Sequence, residues 1–76
     1  MVRPLYQIAS EIELDWKKPY FGAEPYLRAM ACLNKIEDWY GCDEAKSVVA
    51  YFLANAATWR GEVARKVKAE LKGMLR

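Results

Sequence analysis

The sequence predicts an all-α fold: a small bundle of about four helices with short connections. Two observations carry the prediction. Apolar residues recur at helical spacing in several separate stretches, and no stretch alternates apolar with polar residues as a half-buried strand does. Seventy-six residues make one domain, 1–76, and 54% hydrophobic with 13% aromatic content favours a packed globule over disorder. A chain this short buries a modest fraction of its surface, so its stability depends on efficient packing.

The first helix is expected from Pro4 to about Trp16. Proline suits a first helical turn, and Leu5, Ile8, Ala9, Ile12 and Trp16 share one face. Glu11, Glu13 and Asp15 then face solvent. Leu14 falls opposite the apolar face, either as a lone exposed leucine or as a partner contact. Lys17 to Ala23 is a break, because Pro19 disfavours helix at Lys18 and Gly22 frees the backbone. Tyr20 and Phe21 are large for a loop. In so small a domain, tucking back over the core is the favoured reading; the alternative is a binding surface.

The second helix is expected from Glu24 to Tyr40, with Pro25 in its first turn, Gly41 as its cap, and Tyr26, Ala29, Met30, Leu33, Ile36 and Tyr40 inward. The third begins after Asp43 as cap. Its stripe of Ala45, Val48, Val49, Phe52, Leu53 and Ala56 is the most apolar in the chain, so the other helices should pack against it. Asn55 can end that helix and Thr58 can start the fourth, although one bent helix running through Gly61 is also consistent. Trp59, Val63, Val67, Leu71, Met74 and Leu75 are the last apolar positions.

Histidine is absent and there are two cysteines. Cys32 and Cys42 lack metal-ligand neighbours at useful spacing, so no metal or other cofactor is expected. Cys32 reads as a small core residue and Cys42 as a turn residue. A disulfide between them is the less expected state, because Met1 to Tyr6 hold no apolar run preceded by a basic region. The longest apolar run, Val48 to Ala54, is far below the ~20 residues that span a bilayer. A soluble cytoplasmic protein with no membrane partner is the expectation.

Enzymatic chemistry has little to work with. Without histidine the usual neutral-pH acid/base group is missing, neither cysteine has an evident activating base, and the four glycines are isolated. A helix-turn-helix reader would be the third helix, but its outward Glu44, Lys46, Ser47 and Tyr51 are poor base-reading groups. Charge is uneven: residues 60–76 carry six basic and two acidic groups, and residues 1–59 six basic and eight acidic. Arg65, Lys68, Lys72 and Arg76 fall within ~80° on a helical wheel and could meet phosphates, though no aromatic residues interleave with them for base stacking. An ordinary solvated last helix explains the same stripe. In Trp59-Arg60-Gly61, Trp59 can close the core at a corner, and Arg60 can pair with an acid of the first half or stack on Trp59.

Several of these segments together resemble a family of short proteins from phages and prophages of Gram-positive bacteria. They are Glu11-Ile12 with Asp15-Trp16, Tyr20-Phe21-Gly22-Ala23, Pro25-Tyr26-Leu27 with Ala29-Met30, Tyr51-Phe52-Leu53 with Asn55-Ala56, Trp59-Arg60-Gly61, and Lys68-Ala69-Glu70-Leu71-Lys72. The resemblance spans nearly the whole chain and carries over no catalytic residue. It implies a small accessory protein inside the host cell. Such proteins commonly bind a host protein, and inhibitors of host defence such as anti-CRISPR proteins are one outcome.

The expected function is therefore a non-enzymatic module that binds a host or phage protein and is able to self-associate. Its candidate contacts are Leu14, Tyr20, Phe21, Tyr51 and Arg60, with the basic stripe beside them. The alternative is a nucleic-acid-associated protein using Arg65, Lys68, Lys72 and Arg76.

Overall fold

Among the described residues four helices and one short hairpin follow each other along the chain. The computed structural model describes residues 3–75. Helices α1 (Leu5–Asp15), α2 (Glu24–Met30), α3 (Ala45–Ala54) and α4 (Glu62–Met74) surround one core, and strands β1 (Trp39–Tyr40) and β2 (Asp43–Glu44) lie between α2 and α3. The fold is mostly helical but not purely so. Helices α1 and α3 each pack against both α2 and α4, which closes a ring around the core. Among the described residues, no helix is long and apolar enough to cross a membrane.

Helix α1 forms where its apolar face predicts, with Leu5, Ile8, Ala9 and Ile12 fully buried. Its start is closed by main chain and not by a side chain. The N–H groups of Leu5 and Tyr6 donate to the carbonyls of Asn34 and Leu33 at 2.8 and 2.9 Å, and those of Gln7 and Ile8 reach back to Pro4. These are the donors a helix N-terminus otherwise leaves open. Trp16 follows the helix and is buried. Its ring stacks on Trp59 at 5.7 Å and meets Phe52 edge-on at 6.3 Å, so α1 reaches α3 through aromatic contact.

The expected long second helix stops at Met30. Turn chemistry in the following segment overrides the helical spacing of Leu33, Ile36 and Tyr40. The Asp38 carboxylate accepts from the N–H groups of Asn34 and Lys35 at 3.2 and 2.9 Å, and the carbonyls of Leu33 and Asn34 are taken by α1. Leu33 is still buried, but from a loop. Tyr40 leaves the core altogether. Cys32 is exposed and not a core residue, and both cysteines are free thiols.

Trp39↔Glu44 and Tyr40↔Asp43 pair antiparallel around Gly41–Cys42. Gly41 has φ +63°, as the first central residue of a type II′ turn requires, so its role is the hairpin and not a helix cap. Asp43 is consequently a strand residue. Glu44, in extended conformation, precedes α3 without a side-chain cap.

Helix α3 buries Ala45, Val48, Val49 and Phe52, with Leu53 half-buried and Ala56 just beyond, and it ends at Asn55 as expected. The Asn55 side-chain N–H₂ turns back to the Tyr51 carbonyl at 2.8 Å. The fourth helix starts later than Thr58. Gly61, at φ +116°, is its N-cap, and Trp59 belongs to the loop before it. On α4, Ala64, Val67 and Leu71 are buried.

An ion triad ties the chain ends together. The Arg3 guanidinium grips Glu70 of α4 through both carboxylate oxygens at 2.6 and 3.0 Å and meets Glu11 of α1 at 2.8 Å. Hydrogen bonding to Glu70 first, and the ion pair with Glu11 after it, push the Arg3 pKa above its already high value. The guanidinium therefore stays charged throughout the working pH range.

Candidate functional site

Among the described residues nineteen buried apolar residues fill the core, yet seven large apolar side chains remain outside it: Tyr6, Leu14, Tyr20, Phe21, Trp39, Tyr40 and Tyr51. Much of that aromatic area lies along the outer face of α3. Tyr51 points out from the helix and is 56% exposed, and Tyr26 of α2 stacks against it, with ring centres 5.5 Å apart and planes inclined by 29°. Beside the pair opens a cleft of ≈ 250 Å³. Pro25, Tyr26 and Ala29 of α2, Ser47, Val48 and Tyr51 of α3, and Tyr40 and Asp43 of the hairpin line it. Asp43 and Ser47 are exposed and half-buried respectively, and Asp43 makes no ion pair among the described residues.

The face continues one turn along α3. Asn55, hydrogen-bonded to Tyr51, lies against the loop that carries Tyr20 and Phe21. A Cβ on Gly22 would fall 2.6 Å from the Tyr20 ring and 2.9 Å from Asn55 Oδ1, so only glycine permits this approach. Tyr20 lies near Ala54, Asn55, Ala57 and Thr58, and Phe21 rests on Tyr20 at 4.8 Å between ring centres. Neither ring tucks into the core: Tyr20 is 44% and Phe21 77% exposed. The nearby interior is occupied instead by Trp16, Phe52 and Trp59, which are buried and in mutual aromatic contact.

The structure thus brings together Tyr20, Phe21 and Tyr51 from the expected contacts and adds Tyr26, Tyr40 and Asp43. The sequence places Tyr26 and Tyr40 on a helical core face and Asp43 at a helix cap; Tyr26 does pack against the core with part of its surface open, whereas Tyr40 and Asp43 belong to the hairpin. The available signal was Trp39-Tyr40-Gly41, in which strand-favouring aromatics precede a glycine. Leu14, 72% exposed on α1, contributes to none of these clefts.

Arg60 belongs elsewhere. With Arg65, Lys68 and Lys72 it borders a shallow groove of ≈ 480 Å³, with Trp59, Gly61, Ala64 and Ala69 also lining it. Arg60 makes no ion pair among the described residues. Lys68, not Arg60, approaches Trp59: its ammonium donates to the Trp59 carbonyl at 2.6 Å and sits 5.9 Å from the ring centre. Burial, and after it the charges of Lys72 and Arg60, lower the Lys68 pKa below the ordinary lysine value. The Trp59 ring is buried, so the groove offers cations without a stacking platform. Arg76, the last member of the expected basic stripe, lies outside the described residues.

No protein-family model, no curated protein and no solved structure matches this chain.

Proposed function

We propose that this chain is a non-enzymatic protein-binding module that docks a host or phage protein through the aromatic face of α3. One observation carries the reading. Tyr26, Tyr40 and Tyr51 line one cleft and Tyr20, carrying Phe21, lines the next along α3, while of the five only Tyr26 also packs against the core. Aromatic rings on a preformed surface supply large contact area with little conformational entropy to lose, which makes them frequent energetic centres of interfaces. The resemblance to short phage and prophage proteins supplies the context, a small accessory protein inside the host cell, with inhibition of a host defence as one role of such binding.

The test is capture from nuclease-treated host lysate by the tagged protein, run in parallel with Phe21→Ala, Tyr51→Ala and the pair Lys68→Glu, Lys72→Glu. One protein retained stoichiometrically, lost with the aromatic variants and kept by the charge-reversed one, supports the reading. Retention that ignores Phe21 and Tyr51 removes it.

The α4 groove favours a second reading, in which Arg60, Arg65, Lys68 and Lys72 hold nucleic-acid phosphates. It requires binding that falls steeply with salt and disappears when Lys68 and Lys72 become glutamate.

A further inference from the structure

The cleft beside the Tyr26–Tyr51 pair has a composition that selects a particular ligand chemistry. Three of its eight lining residues are tyrosines, one is the carboxylate of Asp43, and none is cationic. The rings of Tyr26 and Tyr51 stack on each other, and Tyr40 joins them from the hairpin. No tyrosine hydroxyl here is engaged by a protein group among the described residues, and Asp43 has no ion-pair partner there either. Aromatic faces carry negative potential, and a carboxylate beside them adds to it. Asp43 is thus the one carboxylate that lines the cleft, and the nearby Asp38 is occupied in its turn. At ≈ 250 Å³ the cleft lies below the ~300 Å³ at which drug-sized ligand sites begin, and suits one inserted side chain.

We infer that this cleft is a cation-binding cage that takes a lysine or arginine side chain of the docked protein. Tyr26, Tyr40 and Tyr51 supply the aromatic surface and Asp43 the counter-charge. The inference rests on the docking role proposed for this face and names the chemistry of the partner at its centre. An apolar anchor would be served by the rings alone and would leave Asp43 to be desolvated beside it without compensation, whereas a cation uses both.

The probe is a short capped peptide with arginine flanked by glycines, compared with the same peptide carrying neutral citrulline. Binding is followed by NMR on the full chain at peptide concentrations on the order of 10 mM. The expected result is saturable shifts at Tyr26, Tyr40, Asp43 and Tyr51, about fivefold weaker for citrulline. Asp43→Asn and Tyr51→Leu should each weaken the arginine peptide by a similar factor, and Tyr51→Phe should retain it. Both positions are at the surface, and an unchanged circular dichroism spectrum excludes unfolding as the cause. Equal binding of the citrulline peptide, indifference to Asp43→Asn, or no shift in the cleft overturns the cage. Self-association of the free protein that Asp43→Asn abolishes also overturns it, by making a second copy the occupant.

The two proposals fail separately. Loss of the arginine preference with capture still dependent on Phe21 and Tyr51 removes the cage and leaves the docking face. A peptide-binding cage in a chain that captures no protein removes the docking role.

Discussion

The indole N–H of Trp59 donates to a carboxylate oxygen of Asp15 across 2.8 Å, so the loop before α4 is pinned to the last residue of α1. Trp59 is otherwise held by its stack on Trp16 and its edge contact with Phe52. Trp59→Phe keeps most of the packing and removes the donor, with an expected loss of about 1 kcal/mol, whereas Trp59→Ala should cost about 3–5 kcal/mol. Urea unfolding of the singles and of Trp59→Phe with Asp15→Ala forms a cycle. A coupling near zero would show that the bond contributes nothing to stability.

Gly61 and Gly73 make opposite predictions from one substitution. Neither would meet another atom through a new Cβ, but Gly61 holds φ +116°. Gly61→Ala should therefore destabilise by about 1–3 kcal/mol through backbone strain alone. Gly73→Ala, in the last turn of α4, should stabilise by up to about 1 kcal/mol. Midpoints of thermal unfolding moving in the same direction would contradict the assignment.

The aromatic face should be separable from stability. Phe21→Ala is expected to change the unfolding free energy by no more than about 0.5 kcal/mol, because the ring is 77% exposed. Phe52→Ala, one residue along α3 from Tyr51 and fully buried, should cost about 3–5 kcal/mol. Denaturation curves that rank Phe21 with Phe52 would place Phe21 in the core.

Lys68 gives a signed pH dependence. Its folded pKa lies below the ordinary 10.5, chiefly through burial, so the unfolded chain binds the proton more tightly. Stability from this group rises with pH between the folded value and 10.5, and falls as the folded chain is forced to carry the charge. The melting temperature of the natural protein relative to Lys68→Met should therefore increase as the pH rises towards 10.5. A constant difference would remove the effect.

Two helices were legible because burial follows their period directly: Leu5, Ile8, Ala9 and Ile12 on α1, and Ala45, Val48, Val49 and Phe52 on α3 are inward, as spacing requires. The segment after Met30 was not. Leu33, Ile36 and Tyr40 keep the helical interval, and periodicity cannot register that Asp38 folds back onto two backbone donors. The hairpin that follows redirects Tyr40 and Asp43 from imagined core and cap positions to the cleft. The exposed aromatics of the site were partly visible as residues too large for their loop, Tyr20 and Phe21. Their neighbours were not visible, because Tyr26 has the same interval as a core residue.

The closure of α1 by the carbonyls of Leu33 and Asn34 has a consequence for how the chain can diverge. A joint made from main chain is indifferent to which side chains carry it, so the exposed Ala31 and Cys32 between Met30 and the buried Leu33 can be replaced without loosening the first helix. It is sensitive to register instead. One residue inserted or deleted between Met30 and Leu33 would present the wrong carbonyls to Leu5 and Tyr6. Homologous chains should accordingly hold the length of this connection fixed while its letters change.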